Sequence, residues 1–122
     1  MKVLMSIKPK YADKIFLGEK LYELRRKIFK KRVNTIIVYS SAPIMKVVGE
    51  FEIDDIIVST PEEIFRKFNS YICILKEDYF SYFLGADIAY AIKVGKVIKY
   101  SETKDLSDFG INRAPQSYIY IE

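Results

Sequence analysis

The chain has 122 residues, half of them hydrophobic and 15% aromatic, enough apolar surface to offset ordering entropy, so a disordered chain is excluded and a single domain spanning 1–122 is expected. Its formal net charge of +4 hides a polarised molecule: residues 1–32 hold eleven Lys or Arg against three acids, a local charge of +8, which leaves −4 over the rest. One cysteine, Cys73, and no histidine argue against a disulfide framework and a typical structural metal site; no metal and no cofactor are expected, and Cys73 reads as a small core residue.

Val3–Ile7 is an apolar run of strand length, too soon interrupted by Lys8 and Pro9 to form a signal-peptide core, and no run approaches a membrane span. We therefore expect a cytoplasmic protein. Pro9 opens a helix whose Tyr11, Ala12, Ile15 and Phe16 share one face, and Gly18 supplies the left-handed residue that stops it. Lys20–Arg26 alternates as a strand that points Glu23 and Arg25 the same way.

Thr35–Ser41 is β-branched and ends in the turn chemistry of Ser40-Ser41-Ala42-Pro43. Lys46–Ile53 places Val47, Gly49, Phe51 and Ile53 inward and Glu50, Glu52 and Asp54 outward, with Gly49 marking a bulge or a close backbone approach. Thr60-Pro61-Glu62-Glu63 predicts a helix start with a capping box, followed by the apolar set Ile64, Phe65, Phe68, Tyr71 and Ile72. A second short helix over Glu77–Leu84, stopped by Gly85, joins it as a lid on apolar surface. Ile88–Tyr100 predicts a long strand bent at Gly95, Asp105–Pro115 a loop, and Ser117–Ile121 a last strand. Five or six strands with few, short helices predict a mainly β, α+β fold: a small, mostly antiparallel barrel flanked by helices, closed so that strand edges are removed.

Ser6-Ile7-Lys8-Pro9, the Gly-x-Lys-x-x-Glu-x-Arg pattern at Gly18, Lys20, Glu23 and Arg25, Val48-Gly49-Glu50-Phe51, and Ala114-Pro115-Gln116-Ser117 follow one another in an order that resembles the ASCH-domain family. The likeness spans nearly the whole chain. It implies a PUA-like β-barrel related to RNA-binding modules, with a cleft beside the barrel into which Lys20 projects. It also implies roles in RNA binding or coactivation, with enzymatic branches described as an amidohydrolase of acetylated cytidine and a ribonuclease. In the amidohydrolase branch a Thr is expected three residues after the motif Lys, where this chain has Glu23.

The residues themselves leave alternatives open. Lys20, past a helix stop, either enters a cleft, where burial would lower its pKa and suit it as base or nucleophile, or binds anions as a charged partner of Glu23, or is solvated in a turn. Glu23 and Arg25 form either a functional pair at the barrel mouth, Arg25 offering a planar fork to phosphate or base, or a surface ion pair. With histidine absent, Glu23 is the natural general base near Lys20. Arg25, Arg26, Lys27, Lys30, Lys31 and Arg32 form a charge cluster that is either a phosphate-backbone interface or a solvated face. Lys8 at the first helix start and Ser117 at the last strand are candidate lining residues of the same cleft. The leading expectation is an RNA- or nucleotide-binding module with a basic cleft; the alternatives are a hydrolase of RNA or a modified nucleoside using Lys20 and Glu23, and an adaptor for an acidic protein.

Overall fold

The computed structural model describes residues 1–122. Six strands, β1 (Lys2–Ile7), β2 (Tyr22–Arg25), β3 (Thr35–Ser40), β4 (Lys46–Ser59), β5 (Ala89–Lys104) and β6 (Tyr118–Ile121), form one sheet in the order β2-β5-β4-β3-β1-β6. Only β1 and β3 run parallel; the crossover between them carries α1 (Pro9–Phe16) and β2. The sheet curls into a half-barrel flanked by α1, α2 (Pro61–Phe68) and α3 (Lys76–Tyr82), the PUA-like architecture expected from the sequence. The barrel is not closed by hydrogen bonding: β2 and β6 are its two free edges.

Both faces of the central strands are covered, which is why β3 is buried over all six residues. On one face Val3, Met5, Ile7, Ile36, Val38, Phe51 and Ile92 pack against Ala12 and Ile15 of α1. On the other, Leu4, Ile37, Tyr39 and Val47 meet Ile111, with Leu106, Phe109 and Ala114 around them. A third cluster packs Tyr22, Leu24, Ala89 and Ala91 under Ile64, Ile72, Tyr79 and Phe83, so α2 and α3 do cap apolar sheet surface. Burial pushes the Tyr79 phenol up to about 12, and its hydroxyl donates to the Pro61 carbonyl at 2.6 Å, tying the two helices together.

Gly18 ends α1 with φ +79°, and Gly49 is a close approach: a Cβ there would lie 2.5 Å from the Ile98 carbonyl and 2.7 Å from the Phe16 ring. That contact lets α1 lie directly on the sheet. The ladder between β4 and β5 slips opposite Gly95, where two β5 residues, one more than on β4, fall between the Phe51–Val97 and Ile53–Val94 pairs, which bends the strand pair as the glycine suggests.

Several elements differ from the sequence reading. β4 and β5 run on to Ser59 and Lys104 because they pair with each other past the point where alternation fails, the register shifting again around Asp55. β2 starts at Tyr22, so Lys20 lies outside it. α2 stops at Phe68 and a 3-10 turn leaves Tyr71 47% exposed instead of on the apolar face. The predicted capping box is half made: Thr60 Oγ1 accepts from the Glu63 amide, but the Glu63 carboxylate turns to Arg66 and Lys67. The 105–115 loop contains a 3-10 turn, Leu106–Phe109, with its own capping box between Asp105 and Asp108. Cys73 is not in the core; it is partly exposed with φ +56°, in the connection between α2 and α3.

Candidate functional site

The stop at Gly18 lets the chain double back on α1, the amides of Glu19 and Lys20 donating to the Lys14 carbonyl at 3.0 and 3.1 Å. This turn drives the Lys20 side chain inward. The Leu21 amide then donates to the Tyr71 carbonyl, which covers the outer side of the approach to β2 with the α2–α3 connection. β2 pairs with β5 and presents Glu23 and Arg25 to one side of the sheet.

Lys20 is fully buried, and its Nζ donates to the Ile72 carbonyl at 2.6 Å. Its nearest carboxylate oxygen is Glu23 Oε1 at 3.9 Å, and it lies 5.2 Å from the Tyr11 ring centroid. Burial holds the Lys20 pKa below the ordinary lysine value, the neighbouring Glu23 carboxylate opposing that shift. Glu23, 6% exposed, takes a 2.8 Å ion pair from Arg25 on its other oxygen, so the carboxylate sits between two cations.

Arg25 does more than pair with Glu23. The same terminal nitrogen donates to the Ser6 carbonyl at 3.0 Å, and the other lies 3.4 Å from Ser117 Oγ. The guanidinium therefore spans the gap between edge strand β2 and the strands at the opposite edge, where the hydrogen-bond ladder is missing. Its Nε is buried without an acceptor.

Above this array opens a cleft of about 810 Å³, within the size range of small-ligand sites. Glu23 and Arg25 line it on one side, Lys8, Lys10 and Tyr11 at the start of α1 on another. Tyr39 comes from the end of β3, Asp78 and Tyr82 from α3, and Ala114–Gln116 from the segment before β6. Burial raises the Tyr82 phenol.

Of the residues proposed from the sequence, the structure thus brings Lys8, Glu23 and Arg25 to the cleft and puts Lys20 beneath it, touching the lining through Glu23 and Tyr11. Ser117 adjoins the cleft through Arg25. Arg26, Lys27, Lys30, Lys31 and Arg32 are exposed outside it, on the loop between β2 and β3. Asp78 and Tyr82 were not foreseen: each is ordinary in its local sequence and gains its place only from the fold.

The displaced Lys20 pKa has a thermodynamic consequence. An unfolded lysine titrates near 10.4, so where the folded value is lower the unfolded chain binds more protons and stability rises with pH through that interval. As pH rises on the alkaline side toward the unfolded value, wild type should gain stability relative to Lys20→Met, in which the same tyrosines titrate. Parallel thermal melts of the two proteins across that interval check this; curves of equal slope would contradict it.

The six-stranded half-barrel with its flanking helices and lateral cleft is an ASCH-type, PUA-like fold. It superposes on the crystal structure of ASCH from Zymomonas mobilis with a TM-score of 0.90 at 21% identity, covering 99% of this chain and 87% of that one. A Tyr-to-Phe variant of that protein matches equally, with 20% identity and 99% and 90% coverage. The N-terminal domain of McrB from Staphylothermus marinus is more distant, with a TM-score of 0.50 at 11% identity over 88% of this chain and 77% of that one.

The chain belongs to the family described as Domain of unknown function (DUF365), whose family model matches residues 1–113. Among curated relatives, a large ribosomal subunit protein uL22 of Ureaplasma parvum is 31% identical over 121 residues, 98% of this chain, and an ATP synthase subunit alpha of the same species matches to the same extent. The chain spans 39% and 15% of the length of those two proteins. No helix is long and apolar enough to cross a membrane.

Proposed function

We propose that residues 1–122 are a portable RNA- or nucleotide-binding module, acting in the cytoplasm, whose cleft admits one nucleotide. The observation that carries this reading is the cleft's construction: Lys8, Lys10 and the Arg25 fork offer cations to a phosphate, Tyr11, Tyr39 and Tyr82 offer aromatic surface to a base, and Glu23 offers a carboxylate acceptor on the floor. Holding Glu23 between Lys20 and Arg25 fixes that acceptor in place. The occurrence of similar sequence within two otherwise different proteins, one a ribosomal subunit protein and one an ATP synthase subunit, supports a self-contained unit.

Fluorescence anisotropy with a labelled single-stranded RNA tests the reading. Affinity should fall on the order of tenfold or more as salt rises from about 50 to about 200 mM, because each neutralised phosphate releases counterions. Lys8→Ala with Lys10→Ala should weaken binding by about tenfold. Absent or salt-independent binding would count against it.

A second reading, hydrolysis of RNA or a modified nucleoside, is favoured by one observation: a desolvated lysine with a depressed pKa stands 3.9 Å from a carboxylate that reaches the cleft. In that reading Glu23 is the general base and Lys20 holds its charge and position. Turnover of single-stranded RNA or acetylated cytidine, lost in Lys20→Ala, would establish this reading, and no turnover would leave the binding module.

A further inference from the structure

The loop joining β2 to β3 has the sequence Arg26-Lys27-Ile28-Phe29-Lys30-Lys31-Arg32-Val33-Asn34, five cations and no acid. None of the five has a carboxylate within ion-pair distance, although cations elsewhere, among them Lys2, Lys14, Lys46, Arg66 and Lys93, are paired. Mutual repulsion should splay such a loop into solvent. It is instead fastened across the open seam of the half-barrel.

The fastening is specific. The Tyr120 hydroxyl on edge strand β6 accepts the amides of Lys30 at 3.0 Å and Lys31 at 3.3 Å, and the Lys31 ammonium lies 4.8 Å from the centre of the same ring. Tyr118, one strand position pair away, packs edge-on against Phe29 with ring centres 5.0 Å apart, and against Tyr120 at 5.5 Å. Ile28 and Phe29 pack on the core and Val33 is buried. The backbone that carries five unneutralised cations is thus held in place, at an ordering cost met in folding, so a polyanion would not have to supply it on binding.

The display is continuous with the cleft. Ser117, beside Tyr118, touches Arg25, and Gln116 lines the cleft itself. Resting on the cleft reading above, we infer that the Tyr120-anchored loop is a phosphate-binding track for single-stranded RNA, gripping the backbone next to a nucleotide whose unpaired base enters the cleft, with Tyr120 as its positioning residue. A base in the cleft must be unpaired, which selects a single strand over a duplex.

The test is the salt dependence of binding to a labelled uridine 12-mer by wild type, Tyr120→Phe, and the exposed double variant Lys30→Ala with Lys31→Ala, with uridine monophosphate binding measured beside it. Each phosphate contact on a single strand contributes roughly 0.7 to the slope of log affinity against log salt, so the double variant should lose about 1.4. Tyr120→Phe, which keeps the ring and every cation but removes the amide acceptor, should lose about 1 in slope and about tenfold in affinity, while its monophosphate affinity stays within twofold of wild type. RNA binding with the same slope in all three proteins would overturn the track and leave the cleft. No RNA binding by wild type would overturn both, and displacement of the RNA by polyglutamate of equal charge would assign the loop to an acidic protein partner instead.

Discussion

Glu23→Ala is expected to lower stability by about 3–5 kcal/mol, the range for removing one partner of a buried ion pair, and hence the melting temperature by roughly 10–20 °C. Glu23 Oε1 is the carboxylate oxygen closest to Lys20, whose side chain has no access to water, and its other oxygen holds Arg25. Without Glu23 the two cations face each other with only the Ile72 and Ser6 carbonyls and the Ser117 hydroxyl as acceptors. The residual charge on Lys20, not lost packing, should dominate the effect. Adding Lys20→Met to Glu23→Ala should therefore recover about 2 kcal/mol, a coupling read from the double-mutant cycle. Lys20→Met alone should be mild, because volume is kept and Glu23 retains Arg25. A melting temperature for Glu23→Ala within about 3 °C of wild type would contradict the account.

The second large effect is at Gly49. An added methyl would sit 2.5 Å from the Ile98 carbonyl oxygen, a backbone atom of the paired strand, and 2.7 Å from the Phe16 ring. The ring can turn aside; the strand cannot without breaking its ladder to β4. Gly49→Ala is expected to cost about 3 kcal/mol, the upper part of the range for overpacking. Phe16→Ala in the same chain should relieve only the ring's share, leaving the double variant less stable than Phe16→Ala by itself. Because α1 carries Lys8, Lys10 and Tyr11, displacing it from the sheet should also weaken ligand binding. Chemical denaturation of the three variants measures this, and Gly49→Ala at wild-type stability would contradict it.

How much of this was readable from the chain follows from the range of each interaction. The helix stop at Gly18, the Thr60 cap and the kink at Gly95 depend on local backbone geometry and are written in a few neighbouring residues, whereas Gly49 signals a close approach without naming Ile98 and Phe16 as what approaches. The Lys20–Glu23–Arg25 array was visible because its members are neighbours in sequence. What holds it was not: Lys20 is fixed by a backbone carbonyl 52 residues away and Arg25 by Ser6 and Ser117, and a carbonyl acceptor leaves no signature in residue type. The end of β4 was missed because alternation breaks at Asp54-Asp55 although pairing with β5 continues to Ser59, and that of β5 because the exposed, polar 101–104 stretch carries no strand pattern although Lys104 still pairs with Val47. Cys73 was misplaced because its left-handed backbone at the α2–α3 connection turns it away from the core that a free cysteine usually joins. The basic loop was read correctly as a charge cluster, but its attachment to Tyr120, some 90 residues on, belongs to the tertiary fold.

The central claim is that the cleft over Glu23 and Arg25 receives a nucleotide. Titrating isotope-labelled protein with nucleoside monophosphates and following backbone amide resonances tests it most directly. The account predicts saturable shifts concentrated at residues 8–11, 23–25, 39–41 and 114–117, weakened in Lys8→Ala with Lys10→Ala. Saturable shifts centred on a different surface, or no shifts at millimolar nucleotide, would contradict it.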